Sequence, residues 1–114
     1  MLLDVYKKRQ IHVNADTLSS AQNLAIMYEK MGLKDESEKY YKDALEIAHS
    51  LYGTEHINLL IPLQNLADFY SSSTDQNEKA ISLYKQYILI TTKVLGADHD
   101  NTIKAKEMLQ LLSD

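Results

Sequence analysis

The 114-residue chain has no cysteine and no tryptophan, one proline, three glycines and a single arginine, Arg9. Without cysteine there are no disulfides, no thiolate metal sites and no cysteine nucleophile. That absence fits a reducing compartment, and an intracellular, cytoplasmic location is expected. Sheet proteins spend many glycines and prolines on turns, so their scarcity points to a few long elements, which means helices. Eleven of the twelve basic residues are lysine and the net charge is −4. Forked recognition of phosphate favours arginine, so a mildly acidic, arginine-poor chain is a poor match to nucleic acid. No apolar run approaches the roughly 18–20 residues of a membrane span, and the first residues form no secretory h-region. What is present is ordinary for a globular chain: 45% hydrophobic and 25% charged residues, in a length that suits one domain or a piece of one.

The chain repeats itself. Gln22-Asn23-Leu24-Ala25 recurs as Gln64-Asn65-Leu66-Ala67, and Tyr28 recurs as Tyr70, both at an offset of 42. Tyr41-Lys42 recurs as Tyr84-Lys85, Gly53 as Gly96 and His56 as His99, all at 43. The change of offset places one inserted residue between Tyr70 and Tyr84, and the loop-like run Ser71 to Gln76 is where it fits. Leu109 lies 43 after Leu66, and Leu3 and Asp4 lie 42 before Leu45 and Glu46. A register that starts and ends within a unit is expected of an excerpt from a longer array, or of a small array with one helix added at each end.

Each unit divides in two. Leu18, Ala21, Leu24, Ala25 and Tyr28 follow the spacing of one helical face, and Gly32 is placed as the C′ residue that ends it. A second amphipathic run carries Tyr40, Tyr41, Ala44, Leu45, Ile47, Ala48 and Leu51 and stops at Gly53. The second unit repeats this with Leu63, Leu66, Ala67 and Tyr70, then Ala80, Leu83, Tyr84, Ile88 and Val94. Helices are predicted near 2–10, 15–31, 35–52, 57–71, 76–95 and 100–113. The predicted organisation is a single domain, with residues 1–12 ending a preceding helix, repeat 1 over 13–54, repeat 2 over 55–97 and a capping helix over 98–114. Pro62 falls about one turn inside the helix near 57–71; with Asn58 as N-cap, only the bond back to residue 58 is lost and the helix bends without breaking.

Chemistry-bearing clusters are few. Asp98-His99-Asp100 superficially resembles a metal or acid–base cluster, but its positional twin His56 is flanked by Glu55 and Ile57, so the acidic flank is not repeated and an interhelix turn is the better reading. His12 and His49 stand alone on helix flanks, and no zinc-type spacing occurs. There is no nucleophile elbow and no phosphate-cradling glycine loop, so neither catalysis nor a cofactor is expected. Asp35, Glu36 and Glu38 open a helix, where acidic side chains complement the dipole; Lys7, Lys8 and Arg9 end the first helix and complement its dipole, with a phosphate-binding patch as the weaker alternative.

The positions of Leu24-Ala25, Tyr28, Gly32, Tyr41, Ala44 and Leu45 resemble the tetratricopeptide repeat pattern. The 42–43-residue period, the Asn-Leu-Ala phrase and Gly-x-x-His between units look like the kinesin-light-chain type. Departures are Ile57 and Asp100 where that type has proline, Thr74 for the turn glycine, Tyr87 for the small Ala44, and Lys106 and Gln110 in the last helix, which reads as a solvating cap. The resemblance implies an all-α right-handed solenoid of antiparallel helix pairs whose first helices line a concave groove. Carried over residue by residue, the groove positions are Ser19, Gln22, Ile26 and Glu29; Ile61, Gln64, Asp68 and Ser71; and Lys104, Glu107 and Leu111. Asn23 and Asn65 sit beside them, either contacting an extended peptide backbone or bonding to neighbouring helices. The implied function is a protein-interaction module that holds a peptide or helix of a partner protein. The alternatives are a structural segment of a larger scaffold or assembly factor and an auxiliary regulatory domain of a multidomain protein. Self-association through exposed repeat ends is a further expectation.

Overall fold

A computed structural model describes residues 13–113, and every regular element among them is helical. The chain divides into two compact units, Met1–Thr54 and Glu55–Asp114. The helix expected near 2–10, with Lys7, Lys8, Arg9 and His12, lies outside the described residues.

In the first unit, helix α1 spans Ala15–Lys30. Its start is fixed by a capping box: the Asn14 side chain accepts the backbone N–H of Asp16 at 2.9 Å and of Thr17 at 3.1 Å, while Thr17 Oγ1 accepts the Asn14 N–H at 2.8 Å. Its end is a Schellman turn. Gly32 N–H reaches the Glu29 carbonyl at 3.0 Å and Leu33 N–H reaches Tyr28 at 3.0 Å, with Gly32 at φ 79°. Helix α2, Lys34–Tyr52, then returns along α1. The two approach closely because the facing residues are small: Ala21, Ala25, Ala44 and Ala48 are buried at 0–1% exposure. Ser37, fully buried, donates its hydroxyl to the Ala25 carbonyl at 2.8 Å and so pins the crossing. Tyr41 is buried beside it, whereas Tyr28 is half-buried and stacks on Tyr40 with centroids 5.5 Å apart.

In the second unit, a 3-10 turn, Ile57–Leu59, leads into α3, Leu60–Ser71. The helix expected near 57–71 therefore begins as a 3-10 turn, and Asn58 is not its cap. His56 takes that role, its Nδ1 accepting the Asn58 N–H at 3.0 Å. Pro62 sits in the first turn of α3, where its missing N–H costs little, and its ring is buried. A second 3-10 turn, Thr74–Gln76, precedes α4, Asn77–Val94. This turn occupies the segment in which the repeat offset grows by one residue. Helix α4 packs against both α3 and α5, Asp100–Ser113. Its buried side chains are Ala80, Leu83, Tyr84, Tyr87, Ile90 and Thr91; from α3 they meet Leu60, Leu63, Leu66, Ala67 and Tyr70, and from α5 they meet Thr102 and Ala105. The start of α5 repeats the histidine cap, with His99 Nδ1 accepting the Asn101 N–H at 3.1 Å. Thr102, fully buried, closes the preceding turn by donating to the Gly96 carbonyl at 2.8 Å. Lys106 and Gln110 are exposed on α5, as a solvating cap requires.

Candidate functional site

The exposed face of α3 presents Ile61, Gln64 and Asp68 at the i, i+3, i+7 spacing of one helical stripe. Across from it, α5 presents Asn101, Lys104 and Met108. Between them lies a cleft of about 280 Å³, lined by Gln64, Asp68, Tyr84, Tyr87, Asn101, Lys104, Ala105 and Met108. Tyr84 and Tyr87 come from α4, are 4% and 6% exposed, and form its floor.

The polar chemistry of this cleft centres on Asp68. The hydroxyl of Tyr84 donates to Asp68 Oδ1. Burial pushes the Tyr84 hydroxyl well above the ordinary tyrosine range, and the hydrogen bond to Asp68 and its negative charge push it further. Tyr87 is raised by burial and by the same carboxylate. Ser71 donates its hydroxyl to the Asp68 carbonyl at 2.9 Å, closing the last turn of α3 behind it. In the first unit Tyr41, the counterpart of Tyr84, donates to Glu29 Oε1 at 2.7 Å, so each unit ties a buried tyrosine of its second helix to a carboxylate of its first.

Of the residues expected to line a groove, the structure brings Gln64, Asp68 and Lys104 together in this cleft. Ile61 stands on the same face of α3 at 64% exposure, and Leu111 on α5 at 71%. Asn65 is half-buried and Glu107 exposed, and neither lines the cleft. In the first unit Ser19, Asn23, Ile26 and Glu29 are exposed along α1 and Gln22 is half-buried. Another depression, on α2, is lined by Asp35, Glu38, Lys39, Lys42 and Asp43 and contains none of the expected residues. Sequence reasoning missed Tyr84, Tyr87, Asn101, Ala105 and Met108 as cleft residues. The signal for Tyr84 was its tip: a buried tyrosine needs a partner for its hydroxyl, and the partner is found at the groove face.

Among the described residues no group of three or more His, Asp or Glu side chains could hold a metal ion. No described helix is long and apolar enough to cross a membrane.

Comparison with known proteins gives a consistent result. A family model described as tetratricopeptide repeat matches residues 15–88, more than half of the chain. Proteins named "Clustered mitochondria protein homolog" are similar in sequence: 28% identical over 99 residues in Aspergillus niger, 26% in Coccidioides immitis, and 26% over 112 residues in Aspergillus fumigatus. These alignments take in 86–97% of this chain but only 8% of each relative, so the chain spans a small fraction of their length. Among solved structures, BtubC (BKLC) from P. vanneervenii superposes with a TM-score of 0.69 at 19% identity, covering 97% of this chain and 48% of that one. That likeness shows the fold, an all-α solenoid of helix pairs.

Proposed function

The chain belongs to the tetratricopeptide repeat family, whose repeats are generally protein–protein interaction modules, and on that premise we propose that it binds a peptide or helical segment of a partner protein, in the second unit along the exposed faces of α3 and α5 and in the first on the exposed face of α1. The observation that carries this reading is the cleft between α3 and α5. Gln64, Asp68, Asn101 and Lys104 converge on it around Tyr84, Tyr87, Ala105 and Met108, a mainly polar lining with a few apolar and aromatic groups. In the first unit the corresponding surface is Ser19, Gln22, Asn23, Ile26 and Glu29; Ile61, Asn65 and Glu107 extend the surface of the second. The proposed module is intracellular and cytoplasmic, acts by binding and not by catalysis, and takes protein in preference to nucleic acid or membrane.

The test is a peptide array probed with the 114-residue chain, followed by titration of the strongest binders with amide chemical shifts mapped. Shifts gathered on Gln64, Asp68, Asn101 and Lys104, and on Gln22 and Glu29, are expected. Binders that map only to the backs of α2 and α4 would overturn the groove reading. The relatives extend far beyond the matched segment, which favours a second role: one stretch of a larger scaffold whose ligand sits elsewhere. A chain that binds no peptide in the array supports that role.

A further inference from the structure

The cleft of the second unit sets a tyrosine-held carboxylate above an aromatic floor. The hydroxyl hydrogen of Tyr84 is committed to Asp68, and Ser71 stands beside the phenol oxygen as a further hydrogen-bond partner. An ionised carboxylate offers roughly four lone-pair positions, and this bond takes one. The negative charge of Asp68 is felt at the hydroxyls of both Tyr84 and Tyr87. Both rings are buried, whereas Asp68 is exposed above them, so its charge acts at a solvent-accessible carboxylate. Lys104 lines the cleft as well and both charges are exposed, but Asp68 is held in place by the Tyr84 hydroxyl, so an anion entering here would meet a fixed carboxylate. A cation would meet that carboxylate above the two tyrosines.

We propose that this cleft is a subsite for one basic side chain, lysine or arginine, of the partner peptide, with Asp68 as its counter-charge. The inference rests on the reading of the cleft as peptide-binding and names the chemistry of what enters it. Tyr84 acts as a positioning residue, holding the Asp68 carboxylate against the cleft. Gln64 and Asn101, at the rim, offer amides to the peptide backbone on either side. The size agrees: a cleft of about 280 Å³ has room for one long side chain. The chain's net charge of −4 also favours encounter with a basic segment.

The experiment titrates the isotope-labelled 114-residue chain with three capped pentapeptides, Gly-Gly-X-Gly-Gly, in which X is arginine, glutamine or glutamate. The arginine peptide is expected to give saturable shifts at Asp68, Tyr84 and Asn101, with the other two at least about tenfold weaker. Asp68→Asn keeps a carbonyl that accepts the Tyr84 hydroxyl but loses the charge, and should weaken the arginine peptide about tenfold. Asp68→Glu keeps the charge and should keep the preference, which separates charge from folding. Equal binding of the glutamate peptide, unchanged arginine binding in Asp68→Asn, or no shift at the cleft with any of the three would overturn the subsite. In those cases array peptides that still map to the cleft leave the peptide-binding reading standing; array peptides that never map there remove both.

Discussion

His99 Nδ1 accepts the backbone N–H of Asn101 at 3.1 Å, and the same bond joins His56 to Asn58 at 3.0 Å, 43 positions earlier. A further 42 positions back stands Asn14, whose side chain makes the corresponding bond to Asp16 N–H at 2.9 Å. One position in the repeat thus has one task, to satisfy the first free N–H groups of a helix. The repeated histidine is a cap, and that accounts for its recurrence without a metal or a proton relay.

Replacing the cap removes an acceptor. His99→Ala should destabilise the chain by about 0.5–2 kcal/mol, the usual range for loss of an N-cap side chain. His99→Asn should recover most of that, because asparagine performs the task at position 14. Urea midpoints of the three proteins decide it; an alanine variant as stable as the parent would refute the capping role.

Ala25 and Ala67 are both 0% exposed at the crossing of their helices. Ala25→Leu or Ala67→Leu should cost roughly 1–3 kcal/mol by overpacking. The measurement is again chemical denaturation, and an unchanged midpoint would contradict the close approach of the helices.

Alkaline pH should expose the role of Tyr84. Its hydroxyl and that of Tyr87 are held above the ordinary tyrosine range in the fold, so the folded state retains protons that the unfolded state releases. Their contribution to stability is complete below pH of about 10 and declines as the pH rises beyond it. Tyr84→Phe should flatten that decline. Tyrosinate absorbance should show a late-titrating fraction that shrinks in the variant; identical titration curves would count against the Asp68 contact.

Gly96 has φ of 101°, and a Cβ built there meets nothing within 4 Å. Gly96→Ala should therefore cost only the conformational penalty, about 1–2 kcal/mol for a left-handed residue, and no steric one. A thermal scan giving a much larger loss would point to a contact that the geometry does not contain.

The helical architecture was legible because small and large residues recur at fixed spacing. Ala25 and Ala67 fall at helix crossings, and Gly32, Gly53 and Gly96 all take positive φ. Periodicity identifies which face of a helix is inward but not how completely the next layer covers it. Tyr28 and Tyr70 occupy the same repeat position, yet Tyr70 is buried at 3% exposure while Tyr28 is half-buried against Tyr40. Tyr87, which stands where the first repeat has the small Ala44, is in the core. The cap was misread for a related reason: Asn58 is the commoner cap type, and only alignment of positions 14, 56 and 99 points to histidine. Three of the eight cleft residues, Gln64, Asp68 and Lys104, followed from the groove positions that the family resemblance implies. Its tyrosine floor did not, since those rings had been accounted for as packing.

The 3-10 turn at Thr74–Gln76 absorbs one residue between α3 and α4 while the buried faces of both helices keep their repeat positions. Length variation introduced there is dissipated locally and does not propagate into the core. The segment from Ser72 to Gln76 is consequently a natural point for splicing in a reporter or an epitope loop, on the opposite end of α3 from its histidine-capped start.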